Sequence, residues 1–284
     1  MTNALVLAGG GVAGIAWELG VLRGLADVDP GLADRIIAAD VIVGTSAGSS
    51  VAAQITSGTP LAELFDAQVR AEHSELAVDV DLEELMERFV AAVQGGDMTD
   101  QATVRARLGA MALGTETVPE SARRAVIEAR LPSHDWPLGR MLLPAVDAVT
   151  GELTVFTRDS GVSLVDAVAA SCAVPGVWPP VTIGGRRFID GGVRSGTNAD
   201  LAAGADRVLV VTPTLPDAPL LPWGILDDEL ELLKPAATAV ISADQASVDA
   251  FGANPLAPDT RAPSANAGRE IGRAKATEIA AFWA

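Results

Sequence analysis

The chain has 284 residues, 49% of them hydrophobic and 20% charged, a balance that suits a globular protein with a sizeable core. Its net charge of −17 repels phosphate backbones and anionic surfaces, which argues against nucleic acid as a partner. The single cysteine, Cys172, allows no intrachain disulfide, and no apolar run reaches the ~20 residues of a membrane-spanning helix.

Residues 1–10 read as a strand entering a glycine turn, not as a signal peptide, so the expectation is a cytoplasmic protein. Ala4–Ala8 is the strand. Gly9-Gly10-Gly11 is the turn, and Ile15, Leu19, Leu22 and Leu25 then recur at helical spacing. Asp40–Gly44 repeats the plan, with Gly44–Gly48 as the turn and a small-residue helix to about Ser57. Two such units predict a mostly parallel sheet covered by helices. Leu61–Ala71, Leu82–Val93, Thr103–Leu113 and Glu120–Ala129 read as amphipathic helices, with Gly95-Gly96-Asp97 and Gly114–Pro119 between them. Residues 61–130 therefore form a helical insertion over the active edge of the sheet.

Met141–Val149 and Leu153–Thr157 read as a hairpin, turned at Thr150-Gly151. Ser163-x-x-Asp166 opens a helix as a capping box, and that helix ends before Pro175. Val177–Val181 is an apolar loop, Arg187–Asp190 a short strand and Arg207–Thr212 a buried strand. Two helices, near Asp228–Ala250 and Ser264–Phe282, complete a single domain over residues 1–284.

Three motifs carry chemistry. Gly44-x-Ser46-x-Gly48 lies between a strand and a helix, the setting of a nucleophile elbow. A serine there needs a base. The two histidines, His73 on a charged helix and His134 in a loop, both precede Asp190, so the order Ser, acid, His is unavailable with Asp190 as the acid. Asp190 itself ends an apolar strand before Gly191-Gly192, where its carboxylate projects at the carboxyl edge of the sheet. An apolar pocket would strengthen it as a base by desolvation. Gly9–Gly14 fits the G-x-G-x-x-G dinucleotide pattern, but the acid required at the end of the second strand is missing. The alternative is an oxyanion hole of consecutive N–H groups at a helix start.

Taken in this order, the motifs resemble those of the patatin-like phospholipases. Gly9–Gly14 matches that family's oxyanion loop, Gly44–Gly48 its elbow and Asp190–Gly192 its base motif, and Ala169–Pro180 looks like its segment upstream of the aspartate. The resemblance covers roughly residues 4 to 215. It implies a three-layer α/β/α fold with a mostly parallel central sheet. It also implies a Ser46–Asp190 dyad, oxyanion donors at Gly10, Gly11 and Val12, an acyl-enzyme, and no metal or cofactor. The implied substrate is a lipid or acyl ester, with brief contact at a membrane surface. One departure stands out: Ala13 occupies a position that usually holds Lys or Arg in the family. An acyltransferase of the same fold and a catalytically weak lipid-binding protein are the alternative readings. The stiff apolar stretch Val174–Val181, with Trp178, predicts a wall for an acyl chain.

Overall fold

The computed structural model describes residues 1–78, 80–94, 99–216 and 225–284. The strands in chain order are β1 (Asn3–Leu7), β2 (Val41–Gly44), β3 (Arg140–Asp147), β4 (Leu153–Phe156), β5 (Val181–Ile183), β6 (Arg186–Asp190), β7 (Arg207–Thr212) and β8 (Ala237–Ser242). In β1, Leu5 and Leu7 face one apolar core while Ala4 and Val6 face another. A strand apolar on both faces needs cover on both, and this makes the fold three-layered. The sheet order is β5-β6-β3-β2-β1-β7-β8, with β4 attached to β3. Strands β3, β2, β1, β7 and β8 run parallel, and β4, β5 and β6 run antiparallel to their partners.

The helices are α1 (Gly11–Val28), α2 (Pro30–Ile37), α3 (Ala47–Ile55), α4 (Leu61–Val69), α5 (Leu82–Val93), α6 (Gln101–Gly114), α7 (Glu120–Arg130), α8 (Leu164–Ser171), α9 (Leu226–Leu232), α10 (Gln245–Phe251) and α11 (Arg261–Trp283). The four expected helices of the insertion are all present, and Gly95-Gly96-Asp97 lies outside the described residues. The insertion divides. Leu64 of α4 and Ile127 of α7 join the main core, whereas Leu85, Phe89 and Val93 of α5 and Val104 and Leu108 of α6 form a second core with Val146, Trp178 and Ile189.

Helices α1 and α11 cross almost backbone to backbone. A Cβ on Gly20 would lie 2.2 Å from the Ala265 carbonyl oxygen, and one on Gly268 would lie 2.1 Å from that of Trp17. Gly24 and Gly272 are equally close to the facing chain. Beside the crossing, Asp27 takes ion pairs from Arg23, Arg269 and Arg273 at 3.1, 2.6 and 2.7 Å, and the hydrogen bonds and charge of Arg269 and Arg273 hold its carboxyl below the usual range.

Three expectations need correction. Residues 228–250 are not one helix: α9 ends at Leu232, and the β-branched run Ala237–Ser242 adds β8 in parallel to β7 before α10 begins. Val181–Ile183 is an edge strand, not the end of a loop. Ser163 caps α8 through the Asp166 N–H at 3.1 Å, but the Asp166 carboxylate turns to the Ser163 hydroxyl and to Arg124, so no reciprocal arm forms.

Candidate active site

Strand β2 ends at Gly44 and α3 begins at Ala47, leaving Ser46 at φ 50° and ψ −112°. Positive φ costs a residue with a Cβ about 1–3 kcal/mol, so the surroundings must hold it. The Ser46 N–H donates to Ser171 Oγ at 3.0 Å, and its carbonyl accepts from Ser49 Oγ at 2.6 Å and Cys172 Sγ at 3.1 Å. The turn closes tightly, since a Cβ on Gly48 would lie 2.1 Å from the Leu7 carbonyl oxygen.

Asp190 reaches the same level by another route than a parallel strand. Strand β6 runs antiparallel to β3 and sets Asp190 opposite Ala145. Val43 lies opposite Leu142, so Ser46 stands as far beyond Val43 as Ala145 stands beyond Leu142. The ends of β2 and β6 thus meet at the carboxyl edge of the parallel strands. Ser46 Oγ donates to Asp190 Oδ2 at 2.7 Å, and the Gly192 N–H donates to Oδ1 at 2.7 Å. Asp190 is 4% exposed. Burial pushes its carboxyl up to about 7, against the opposing pull of the Ser46 hydroxyl, the Gly192 N–H and the Arg123 charge. Asn198 braces both sides, since its Nδ2 donates to Thr45 Oγ1 at 3.1 Å and to the Gly191 carbonyl at 3.3 Å.

The glycine turn lies against the serine. A Cβ on Gly9 would be 3.5 Å from Ser46 Cβ, and one on Gly14 would be 3.2 Å from Ala47 Cβ. Gly11 has φ 67°, which favours glycine. Among the described residues, the N–H groups of Gly10, Gly11, Val12 and Ala47 find no acceptor. Ala47 was not singled out in the sequence, although the residue after an elbow nucleophile is a known donor position. The next N–H, that of Ala13, goes to the Pro255 carbonyl at 2.9 Å.

Gly11, Val12, Arg123, Cys172, Trp178 and Leu256 line a slot of about 20 Å³ at Ser46. Through Val12, Ile15 and Arg130 it adjoins a more polar cavity of about 350 Å³. Two arginines of the insertion, Arg123 and Arg130, reach the slot. Arg130 pairs with Glu75 at 2.6 Å, and Arg123 stacks on Trp178 at 3.7 Å from the ring centroid. Neither arginine stood out in the sequence, because a helix with Arg-Arg-Ala reads as a solvated face. Trp178 is 3% exposed, so it serves the core and the slot together. Neither histidine lines the slot. His73 is exposed beyond the end of α4, not on a helix, and His134 Nε2 meets the Glu128 carbonyl at 3.0 Å. Among the described residues, no helix is long and apolar enough to cross a membrane.

A family model described as Patatin-like phospholipase matches residues 5–203. Comparison with curated proteins gave no match. Among solved structures, VipD from Legionella pneumophila overlaps with a TM-score of 0.45 at 12% identity, covering 99% of this chain and 67% of that one. The type III effector protein ExoU overlaps at 0.43 and 15% identity, covering 98% of this chain and 53% of that one. Because the family match takes in the glycine turn, the Ser46 elbow and the Asp190 turn within 5–203, this chain belongs to the patatin-like phospholipase family of lipid ester hydrolases.

Proposed function

We propose that the chain hydrolyses acyl esters of lipids, in the manner of a phospholipase A or lysophospholipase, with Ser46 as nucleophile and Asp190 as its base. The observation that carries this reading is the buried 2.7 Å hydrogen bond from Ser46 Oγ to a carboxylate raised to about 7. A carboxylate so poised takes a proton at neutral pH far better than an ordinary aspartate does. Asp190 accepts the hydroxyl proton as Ser46 Oγ attacks the ester carbonyl. The free N–H groups of Gly10, Gly11 and Val12 receive the oxyanion. Asp190 returns the proton to the departing alcohol, leaving an acyl group on Ser46. Water, deprotonated by Asp190, then releases the fatty acid and restores the serine.

The acyl chain lies along Val174 and Trp178, whose side of the slot continues into the second core. At about 20 Å³ the slot admits little more than a water-sized group, so substrate entry requires this wall or Leu256 to give way. The test is labelling with a fluorophosphonate probe and peptide mapping. Ser46 is expected to carry the label, and Ser46→Ala to abolish it. Undiminished labelling in that variant refutes the assignment.

A further inference from the structure

Arg123 is 6% exposed, and its Nε and Nη1 are buried without a hydrogen-bond partner. Among the described residues it forms no ion pair. Nearby acids are already engaged. Glu75 is held by Arg130 through two hydrogen bonds, at 2.6 and 2.9 Å. Asp190 takes the Ser46 hydroxyl and the Gly192 N–H, and Glu120 takes the N–H and hydroxyl of Thr182. One face of the guanidinium is covered by the Trp178 ring, which fixes its plane without neutralising its charge. A buried, unpaired guanidinium is costly, and a ligand anion removes that cost. The same side chain lines the Ser46 slot, so an anion bound to it from that side would sit next to Ser46. A chain of net charge −17 repels anionic substrates at long range, which makes a local cation the means of selecting one.

We infer that Arg123 is the anion-recognising residue of this site: it binds the phosphate of a substrate whose acyl ester is held at Ser46. This rests on the proposed hydrolysis at Ser46. Planar donors and a fixed stacking face suit a phosphate oxygen pair. A product carboxylate offers similar oxygens, and the experiment separates the two.

The experiment compares kcat/KM for 1-lauroyl lysophosphatidic acid and 1-lauroyl glycerol, which share an acyl ester and differ in the phosphate, below their aggregation limits. Wild type is expected to prefer the phosphate ester by at least ~10-fold. Arg123→Met should lower the ratio of kcat/KM for the phosphate ester to that for the glycerol ester by about 30-fold, the size of a lost charge-assisted hydrogen bond, whatever common change its effect on Asp190 brings to both. Arg123→Lys, which keeps the charge but not the planar fork or the stacked face, should recover only part of the loss. Equal falls on both esters would assign Arg123 to structure or to the chemical step and overturn the inference. A wild-type ratio at or below one overturns it without any variant, which covers the case of a variant that does not fold. Inhibition of glycerol-ester hydrolysis by laurate, relieved in Arg123→Met while the phosphate-ester rate is unchanged, would mean product binding and also overturn it. If wild type cleaves the glycerol ester without preference, this inference alone fails. If it cleaves neither ester and Ser46 takes no label, the hydrolase reading fails and this inference falls with it.

Discussion

Helices α1 and α11 meet through their backbones, whereas α5 meets its neighbours through the side chains of Leu85, Phe89 and Val93. The first contact accepts no added atom, because a Cβ on Gly268 would lie 2.1 Å from the Trp17 carbonyl oxygen. The second tolerates exchange of one apolar side chain for another of similar volume. Position follows from the first kind of contact. Helix α1 starts at the glycine turn, so anchoring α1 on α11 fixes the donors beside Ser46. On the proposed function, selectivity would follow from the second kind, because Trp178 shares the α5 core and also lines the slot. Changes at the glycine turn and the two strand ends should therefore act on every ester, and changes under α5 should act on which ester is preferred.

The sharpest way to break this division is Asp190→Asn, which keeps the shape and removes the proposed base. Hydrolysis of all esters should fall at least ~100-fold, with the ratio between long and short chains preserved. Retention of the rate would remove Asp190 from the chemistry. Next is the acyl-length profile. Each buried CH₂ contributes ~0.8 kcal/mol, so four extra methylenes should raise kcat/KM roughly a hundredfold for p-nitrophenyl esters. Trp178→Ala should flatten that profile. A steep profile that survives the substitution places the chain elsewhere.

The packing contrast itself is tested by urea unfolding. Gly268→Ala should cost about 2 kcal/mol despite alanine's better helix propensity, and Phe89→Leu should cost under ~1.5 kcal/mol. A stabilised Gly268→Ala variant would show that the crossing has room to spare. A smaller effect is the pH profile. If Asp190 is the base, it must be ionised, so kcat/KM should drop about tenfold per unit as pH falls below about 7 and level off above it. An acid limb centred near 4 would mean that burial does not govern Asp190. The smallest effects belong to His73→Ala and His134→Ala, which should leave the rate within about twofold. Loss of activity in either restores a histidine to the mechanism.

What could be read in the sequence follows from what marks a chain locally. Glycines flank Ser46 and follow Asp190, so both strand ends were legible, and the structure brings the two side chains to 2.7 Å. The route of Asp190 was not legible, because the direction of β6 depends on pairing with β3. Strand β8 was missed because Ala-Thr-Ala-Val-Ile-Ser lies between two helix-like runs, and only β7 beside it decides the matter. Gly20-x-x-x-Gly24 and Gly268-x-x-x-Gly272 were in plain view, yet one spacing means little until the facing one is known. Arg123 and Arg130 were not legible as site residues, since their burial depends on Trp178 and on residue 75, far away in the chain. The crossing partner α11 and the loop at Pro255 also lie beyond the matched residues 5–203, so the family pattern points to neither.

The raised carboxyl of Asp190 has a thermodynamic side as well. Between about pH 4, where an exposed aspartate loses its proton, and about 7, the folded chain holds a proton that the unfolded chain has released. Stability from this group is thus full below that window and falls as pH rises through it, by on the order of 4 kcal/mol. Glu18, fully buried and likewise pushed up by burial, adds in the same direction. The conditions that would arm Asp190 as the proposed base are those that loosen the fold around it, and Asp190→Asn should unfold at a higher temperature than wild type above pH 7 while matching it near pH 4.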